Sequence, residues 1–468
     1  MIARVGRRRA GLVYNAVVGV LRLTTRVFFR TIEVVGLENV PDDGPVVFVG
    51  NHPNSLMDPA LIITTCERRV SFAAKDVLFR SRLLRPVLRS LGAVPIRRRM
   101  DHGGAADNSE AFAALLEVLR SGGAFGIFPE GISHTRSELA PLKTGAARIA
   151  LTATREGIPV RIIPCGLTYV HRTRARSRVL VQFGAAIEPS EAPPAAGDGE
   201  EWFRATARAL TESIDASLRG LTINAADFTT LRVLDQIRRL YRPTGMQLTL
   251  AERAELSRRF IDHFERFQAE PDVAALFADV ARYADALEAL GLHDRDLRRH
   301  ASSGARVVRV LRHFVLLLFF VPLAVPGALL HAPILVLAAV AGNSFTRRKD
   351  VIATTKMVTA LSLVLLGYVA VAAVIVWRVA FPALLWALPL SLATLVLSAW
   401  ATLRVLEREA AVRRGVSVTV ALLRFARELA RLRAEREALR ARLLEVADRY
   451  VDPELVRVIP RTAHGDDD

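Results

Sequence analysis

The segment NHPNSLMDP places a histidine and an aspartate in one polar turn directly after the apolar run VVFVG. Five residues separate His52 from Asp58. Pro53 restricts the backbone of His52 to extended geometry, so the imidazole is held on a stiff turn. A carboxylate bonded to one ring nitrogen fixes the tautomer and leaves the other nitrogen basic. The pair could therefore remove a proton from a hydroxyl group, although this spacing alone is equally typical of a structural loop.

The segment FPEGISHTRS is a second polar turn after an apolar run. Gly131 would let backbone amides approach a ligand closely, and Arg136 with Lys143 downstream could neutralise a phosphate. Glu130 could order these cations or a ligand hydroxyl. The alternative interpretation is an ordinary turn that precedes a solvated, charged helix.

Two further short segments carry candidate groups. GAVPIRRR delivers the adjacent arginines Arg97, Arg98 and Arg99, of which one could grip a phosphate with two parallel hydrogen bonds. A solvated or lipid-facing patch is the alternative for the others. IIPCG, which contains Pro164, lies in an apolar run where packing is the default interpretation.

The elements that must position these groups are strands alternating with helices. From about residue 33 to 190, short apolar runs alternate with longer mixed segments, which predicts an α/β domain. Strands are predicted at 46–50, 125–128, 160–170 and 178–184, and a helix at 109–123. The polar turns follow strand ends, where side chains can face a ligand at the rim of a sheet.

The rest of the chain is predicted to be helical and partly within a membrane. Residues 191–305 form a charged helical region, and 306–403 form an apolar membrane region. Three prolines and two basic flanks favour a re-entrant hairpin at about 314–340. Spans are predicted at about 357–377 and 381–403.

Both ends of the chain are predicted to be amphipathic helices. Residues 1–32 are basic and fit a helix on a membrane surface, with a soluble helix packed on the domain as the alternative. Residues 404–468 form a cytoplasmic helical tail with one apolar seam. That seam fits either a homodimer or packing on helices of the same chain.

The composition favours an anionic partner. The formal charge is +17, and 60 of the 64 basic residues are arginine. Beside apolar segments, this balance indicates lipid headgroups or phosphorylated ligands, and no nucleic-acid-binding module is apparent. The two cysteines cannot form a disulfide framework or a zinc site by themselves.

The order NHPNSLMDP, GAVPIRR, FPEGIS and IIPCG resembles the four blocks of the glycerophosphate acyltransferase superfamily, over about residues 35–189. The resemblance implies a mixed sheet flanked by helices, and transfer of an acyl chain from a thioester to a hydroxyl of a glycerol phosphate without metal or cofactor. It implies that His52 is the general base and Asp58 its orienting carboxylate. Arg97, Glu130 and Gly131 would bind the acceptor, while Pro164 would shape the pocket.

Two departures point to one branch of that superfamily. The common pattern has four residues between His and Asp, and Ile132-Ser133-His134 here precedes the usual Thr-Arg-Ser. Both features resemble the branch of glycerol-3-phosphate and dihydroxyacetone-phosphate acyltransferases, as does LTINAADFTTLRVLDQIRRLYRP. This implies glycerol 3-phosphate as acceptor, and leaves open whether Arg97 or Arg136 takes the phosphate and whether His134 joins it.

The sequence thus predicts a membrane-bound O-acyltransferase that acylates the sn-1 hydroxyl of glycerol 3-phosphate. Acyl-CoA or acyl-acyl carrier protein would be the donor, and membrane lipids and the acceptor the other partners, with no nucleic acid. The expected location is a bacterial inner membrane, with the catalytic domain on the cytoplasmic side. Lysophosphatidic acid, another lysophospholipid or dihydroxyacetone phosphate are alternative acceptors, and an inactive lipid-binding scaffold is the main non-enzymatic alternative.

Overall fold

The structure is a computed structural model that describes residues 11–82, 84–97, 107–190, 199–241, 248–298, 303–346 and 348–450, apart from the side chains at 303–306, 309, 422 and 423. The chain divides into two compact units. The first comprises Met1–Asp227, Thr249–Arg258 and Thr346–Thr354. The second comprises Phe228–Leu248, Arg259–Phe345 and Thr355–Asp468.

A seven-stranded mixed sheet forms the centre of the first unit. Its strands are β1 (Phe29–Val35), β2 (Val46–Gly50), β3 (Val70–Lys75), β4 (Val94–Ile96), β5 (Ala124–Ile127), β6 (Arg161–Tyr169) and β7 (Ser177–Phe183). They lie in the order β1-β7-β6-β2-β5-β3-β4. The predicted α/β class with a mixed sheet is confirmed, and each predicted strand is present with ends shifted by at most one residue.

The direction of the strands decides where the polar turns meet. Five strands run parallel to one another, in the order β6, β2, β5, β3 and β4. Strand β7 pairs antiparallel with β6, and β1 runs parallel to β7. The carboxyl ends of β2, β4, β5 and β6 therefore share one edge of the sheet. Ligands of open α/β sheets bind at this edge.

Helices pack against this sheet because their apolar positions recur on one face. They are α1 (Leu12–Phe28), α2 (Met57–Thr65), α3 (Leu84–Ser90), α4 (Ser109–Arg120), α5 (Gly145–Arg155) and α6 (Gly199–Leu221). Leu115 of α4, Ile149 of α5 and Ile214 of α6 are buried with Phe125 and Ile162 of the sheet. The first unit thus extends past the predicted boundary at 190, because the apolar face of α6 completes its core.

Helix α1 has two different apolar faces. Tyr14 and Phe28 are buried against the first unit, whereas Leu12, Val13 and Leu23 are more than 60% exposed. The buried face agrees with the packed alternative, and the exposed face is the one that fits a membrane surface. Residues 1–10, the basic part of the predicted helix, lie outside the described residues.

Both cysteines of the chain are buried in the first unit as free thiols. Cys66 follows α2, and Cys165 lies within β6. Burial raises the pKa of Cys66 to about 11 and raises that of Cys165 well above its ordinary value. Both side chains therefore stay protonated and shielded from solvent at neutral pH.

The second unit contains the helices α7 (Phe228–Tyr241), α8 (Leu250–Phe267), α9 (Pro271–Ala289), α10 (Asp294–Arg298) and α14 (Ala426–Tyr450), although the first turns of α8 belong to the first unit. Helix α14 packs on α7 and α9. Its seam of Leu429, Leu432, Leu439 and Leu443 is buried there. Arg436, which interrupts the seam, is buried with Asp294 at 2.9 Å. Of the two predicted uses of the seam, packing within the chain is the one that the structure contains.

Three long apolar helices follow, α11 (Ser303–Ser344), α12 (Ile352–Arg378) and α13 (Leu384–Arg424). Each is long and apolar enough to cross a membrane, over Val310–Ser344, Ile352–Arg378 and Leu384–Ala421. The helices α12 and α13 cover the spans predicted at 357–377 and 381–403, apart from residues 381–383. Helix α13, however, continues about 20 residues beyond the predicted end at 403.

A re-entrant hairpin is predicted at 314–340, whereas α11 is one continuous helix there, with Pro322, Pro326 and Pro333 inside it. Proline removes a backbone donor, and neighbouring polar groups can satisfy what it frees. The hydroxyl of Ser398 in α13 accepts from the backbone N–H of Gly327 at 2.9 Å and donates to the carbonyl of Ala324 at 2.6 Å. A side chain from another helix thus supports the backbone around the middle proline.

Candidate active site

His52 and Asp58 meet at the carboxyl end of β2. The chain leaves the buried strand at Gly50, turns through Asn54, whose carbonyl accepts from the N–H of Met57 at 3.1 Å, and enters α2. This turn brings His52 Nδ1 to 2.8 Å from Asp58 Oδ2. The aspartate side chain is fully buried, and the imidazole is 18% exposed. The structure therefore joins the two residues that the sequence selected.

Three protein groups hold the Asp58 carboxylate. Oδ2 accepts from His52 and from the backbone N–H of Asn54 at 2.7 Å, while Oδ1 accepts from the Tyr169 hydroxyl at 2.5 Å. Burial raises the pKa of Asp58, and these hydrogen bonds act in the opposite direction. Burial beside the carboxylate raises the pKa of Tyr169 well above its ordinary value, so its hydroxyl remains a donor.

The opposite nitrogen of His52 is available for chemistry. An ionised Asp58 can only accept, so Nδ1 carries the proton and Nε2 carries a lone pair. Among the residues that the structure describes, none forms a hydrogen bond with Nε2. The ring stacks on Phe128, with centroids 4.1 Å apart and planes within 2° of parallel. The imidazole is therefore fixed at one edge and one face, with its basic nitrogen free.

Glu130 connects the two polar turns. Its Oε1 accepts from the backbone N–H of His52 at 2.7 Å, and its Oε2 accepts from the N–H of Ala140 at 2.8 Å and from His134 Nε2. The side chain is 1% exposed. Both oxygens are thus used within the protein, which favours a role in positioning His52 over the predicted contact with the acceptor.

His134 belongs to the same scaffold. Its backbone N–H donates to the carbonyl of His52 at 3.1 Å, and its Nδ1 accepts from the N–H of Arg136 at 3.2 Å. The ring proton therefore lies on Nε2 and is donated to Glu130. This arrangement uses both nitrogens within the turn and leaves neither for a phosphate.

Arg136 and Lys143 are the exposed cations of the second turn. Gly131 lies beneath the lysine, because a Cβ built at position 131 would be 2.5 Å from Lys143 Nζ. Its φ of +68° is in the left-handed region. The glycine thus permits both the turn and the close passage of the lysine side chain.

Arg97 lies at the same edge of the sheet but farther away. It follows β4, the strand at one end of the sheet. Its backbone N–H donates to Asn108 Oδ1, and its carbonyl accepts from Asn108 Nδ2, both at 2.9 Å. Three strand spacings separate β4 from β2, which is about 14 Å. By strand spacing, the backbone of Arg97 lies farther from His52 than the second turn does. Arg98 and Arg99 lie outside the described residues.

Pro164 lies inside the sheet. It is buried in β6 opposite Val49 of β2, and its carbonyl accepts from the N–H of Gly184 at 2.8 Å. Packing, the default interpretation of the fourth block, agrees with this position.

Sequence reasoning missed Tyr169, Asn54 and Phe128 as parts of the site. Tyr169 ends β6, which runs parallel to β2, so its place at the same edge was the available signal. Asn54 is fully buried, and its side chain donates to the carbonyl of Arg172 at 3.1 Å. Together these residues fix the His52–Asp58 turn against the loop that follows β6.

We expect Gly131→Ala to displace the Lys143 side chain as well as to strain the backbone. The left-handed φ costs about 1 to 2 kcal/mol for a residue with a Cβ, and the new methyl group displaces Lys143. Gly157→Ala is the matched control, since Gly157 has φ +76° and nothing within 4 Å of its Cβ position. Thermal unfolding should show similar destabilisation in both variants. Only Gly131→Ala should weaken binding of a phosphate-bearing acceptor, and equal binding by the two variants would contradict this assignment.

Two family models match the chain. The acyltransferase family matches residues 31–168, which include β1 to β6 and the site. The family described as the glycerol-3-phosphate acyltransferase 2 C-terminal domain matches residues 233–456, which include α8 to α14. The matched segments thus lie on either side of the boundary between the catalytic sheet and the helical region.

Three curated relatives carry related names. Glycerol-3-phosphate O-acyltransferases 2 and 1 of Saccharomyces cerevisiae are 31% and 32% identical, over 56% and 51% of this chain. This chain covers 37% and 32% of those proteins, about a third of their length. A 1-acyl-sn-glycerol-3-phosphate acyltransferase of Borreliella burgdorferi is 32% identical over 28% of this chain and 50% of its own. The chain is therefore similar, over both matched segments, to acyltransferases of the glycerol-3-phosphate acyltransferase branch.

Proposed function

We propose that this protein is a membrane-bound O-acyltransferase that transfers a fatty acyl group from an acyl thioester to the sn-1 hydroxyl of glycerol 3-phosphate. The product is lysophosphatidic acid. The observation that carries the proposal is the His52–Asp58 pair, with Nδ1 bonded to a buried carboxylate at 2.8 Å and Nε2 unbonded by any residue that the structure describes. The names of the yeast relatives support glycerol 3-phosphate as the acceptor.

His52 is the general base of the proposed reaction. A glycerol hydroxyl is a poor nucleophile at neutral pH, so its proton must be removed as its oxygen attacks. Nε2 takes that proton, and Asp58 stabilises the imidazolium that forms. The hydrogen bond from Tyr169 and the N–H of Asn54 keep the carboxylate in place during this step.

The thioester supplies the activated acyl group. The attacking oxygen forms a bond to the carbonyl carbon, and collapse of the tetrahedral intermediate breaks the carbon–sulfur bond. The departing thiolate takes a proton from the imidazolium, so the base is restored. Acyl-CoA and acyl-acyl carrier protein both supply this chemistry, and we propose that the reaction uses no cofactor.

Arg136 and Lys143 bind the phosphate of the acceptor. Both are exposed on the turn that Glu130 ties to the backbone of His52, so a phosphate held there brings its glycerol hydroxyls toward the imidazole. Arginine offers two parallel hydrogen bonds to phosphate, and lysine adds a compact positive charge. Arg97, which lies about 14 Å from β2 across the sheet, is less well placed for this role.

The apolar helices favour a reaction at a bilayer, where acyl chains and the product belong. Arg348 and Lys349, which lie in the segment that belongs to the catalytic unit, favour the cytoplasmic side for that unit under the positive-inside rule. We further propose that the membrane is a bacterial inner membrane. Proteolysis of sealed vesicles of both orientations tests the side on which the catalytic unit lies.

Lysophosphatidic acid is the second candidate acceptor, favoured by the similarity to the Borreliella burgdorferi protein. The test is turnover of a labelled acyl thioester by purified membranes with glycerol 3-phosphate, lysophosphatidic acid, other lysophospholipids and dihydroxyacetone phosphate. The proposal expects the highest kcat/KM with glycerol 3-phosphate. If no thioester is consumed with any of these acceptors, the proposal is overturned and a lipid-binding scaffold is favoured.

We expect Arg136→Ala to raise KM for glycerol 3-phosphate roughly tenfold to a hundredfold, since a hydrogen bond to a charged group contributes about 1.5 to 3 kcal/mol. The acylation of glycerol, which has no phosphate, should be unchanged. Arg120→Ala is the matched control, because Arg120 is an exposed arginine that precedes β5, at the opposite edge of the sheet. The measurement is the steady-state KM for glycerol 3-phosphate in both variants. An unchanged KM in Arg136→Ala would assign phosphate binding to other cations.

A further inference from the structure

The segment between α11 and α12 belongs to the compact unit that holds the site. Residues Thr346–Thr354 are part of the first unit, although they join two apolar helices. Arg348 Nη2 donates to the backbone carbonyl of Ser133 at 3.0 Å. The same guanidinium pairs with Asp350, with Nη2 2.5 Å from Oδ2 and Nε 3.2 Å from Oδ1. The segment is therefore bonded to the turn FPEGISHTRS.

Asp350 and Ser133 form the buried part of this contact. Asp350 is 4% exposed and Ser133 is 8% exposed. Arg348 joins them, because its guanidinium donates both to the Asp350 carboxylate and to the carbonyl of Ser133. Although burial raises the pKa of Asp350, its hydrogen bonds with Arg348 help to lower that pKa below its ordinary value. The carboxylate is thus ionised at neutral pH and holds the guanidinium in place.

The orientation of Ser133 matters to the catalytic turn. The Ser133 hydroxyl oxygen accepts from the backbone N–H of Ser55 at 3.0 Å. Ser55 lies between His52 and Asp58 and has a φ of +50°. A non-glycine residue in this region is strained by about 1 to 3 kcal/mol and persists only where its surroundings hold it. Ser133 is one of the groups that hold it.

We infer that Asp350 is a positioning residue of the active site, acting through Arg348 and Ser133 on Ser55 and so on the distance between His52 and Asp58. The inference rests on the proposed function for its kinetic consequences. The Asp350 carboxylate fixes the guanidinium of Arg348, which in turn holds the carbonyl of Ser133. The catalytic turn is thereby linked to the segment that connects α11 and α12.

The test uses the full chain in detergent or lipid nanodiscs, with Asp350→Ala and the isosteric Asp350→Asn. We expect kcat to fall roughly tenfold to a hundredfold, as for small displacements of catalytic groups, with KM for the acceptor within about threefold. Ser55→Gly, which removes the left-handed strain, should restore part of the lost kcat in the Asp350→Ala background.

Asp294→Asn is the matched control. Asp294 is also a buried aspartate bonded by an arginine, Arg436, and by a hydroxyl, that of Tyr283, but it lies in the second compact unit. Its substitution should lower the thermal midpoint and leave kcat unchanged. A kcat in both Asp350 variants within twofold of the parent protein would overturn the inference, as would a loss of kcat in Asp350→Ala that Ser55→Gly leaves unrestored.

A second readout separates this inference from the proposed function. Hydrogen exchange of the peptide that contains residues 51–58 should be faster in Asp350→Ala than in the parent protein, and unchanged in Asp294→Asn. This measurement needs no substrate. Unaltered exchange in that peptide would overturn the positioning role even in an active enzyme, whereas absent acyl transfer in the parent protein would overturn only the proposed function.

Discussion

His52→Ala should lower kcat for acyl transfer by roughly 10²- to 10⁴-fold, the usual contribution of a positioned general base. The loss follows from the geometry, because Nε2 of His52 is the basic nitrogen that Asp58 leaves free in the site. KM for the acceptor should change little, since Arg136 and Lys143 remain. The measurement is steady-state turnover of a labelled acyl thioester with saturating glycerol 3-phosphate.

Two controls make this result specific. His171→Ala removes an exposed histidine of the same unit and should retain full turnover. Added imidazole should partly restore activity to His52→Ala, because the cavity left beside Phe128 and Asp58 fits that ring. Turnover of His52→Ala within a few fold of the parent protein, with membrane insertion intact, would refute His52 as the base.

Asp58→Ala should reduce kcat to a similar extent, on the order of 10³- to 10⁴-fold by analogy with aspartates that orient a catalytic histidine. The change removes the acceptor for His52 Nδ1. It also leaves two further donors without an acceptor, the N–H of Asn54 and the Tyr169 hydroxyl. Unpaired buried donors also cost about 1 to 3 kcal/mol each. The thermal midpoint should therefore fall together with kcat.

Asp58→Asn separates charge from geometry. The N–H of Asn54 requires an oxygen at the position of Oδ2, so the amide should place its oxygen there and its NH₂ group toward Tyr169. Nδ1 of His52 then keeps its proton, and only the negative charge is lost. We expect a smaller loss of kcat than in Asp58→Ala and a nearly normal thermal midpoint. Equal losses in both variants would contradict this account of Asp58.

Local sequence patterns were sufficient for four of the seven strands and for the proximity of the central pair, whereas β1, β3 and β4 were not predicted. The run VVFVG predicts a strand because it is short, apolar and bounded by glycine, and it forms β2. His52 and Asp58 lie so close in sequence that one turn joins them. Parallel strands then bring the second turn to the same edge, which is why both polar segments contribute to one site.

Long-range hydrogen bonds were beyond the reach of the same patterns. The family resemblance implied that Glu130 binds the acceptor, whereas its oxygens accept hydrogen bonds from His52, Ala140 and His134. Tyr169 is 111 residues from Asp58, so no local spacing connects them. The packing of separate strands decides which donors surround a carboxylate. The local sequence does not show which donors these are.

The prolines of α11 illustrate the same limit in the apolar region. Proline normally ends a helix, so three of them predict a break. Ser398, 71 residues after Gly327, supplies the hydrogen bonds that sustain the helix near Pro326. The apolar length was therefore a better guide to this element than its prolines, because the compensating group lies on a different helix.

The burial of Cys66 and Cys165 makes the native protein unreactive toward chromogenic disulfide reagents. If the donor is acyl-CoA, free coenzyme A released by each turnover would be the thiol that such a reagent detects, so the reaction could be followed continuously in the absence of other thiols. The same two side chains become accessible when the sheet opens. Their rate of labelling without substrate would then report how often the catalytic unit unfolds in its membrane.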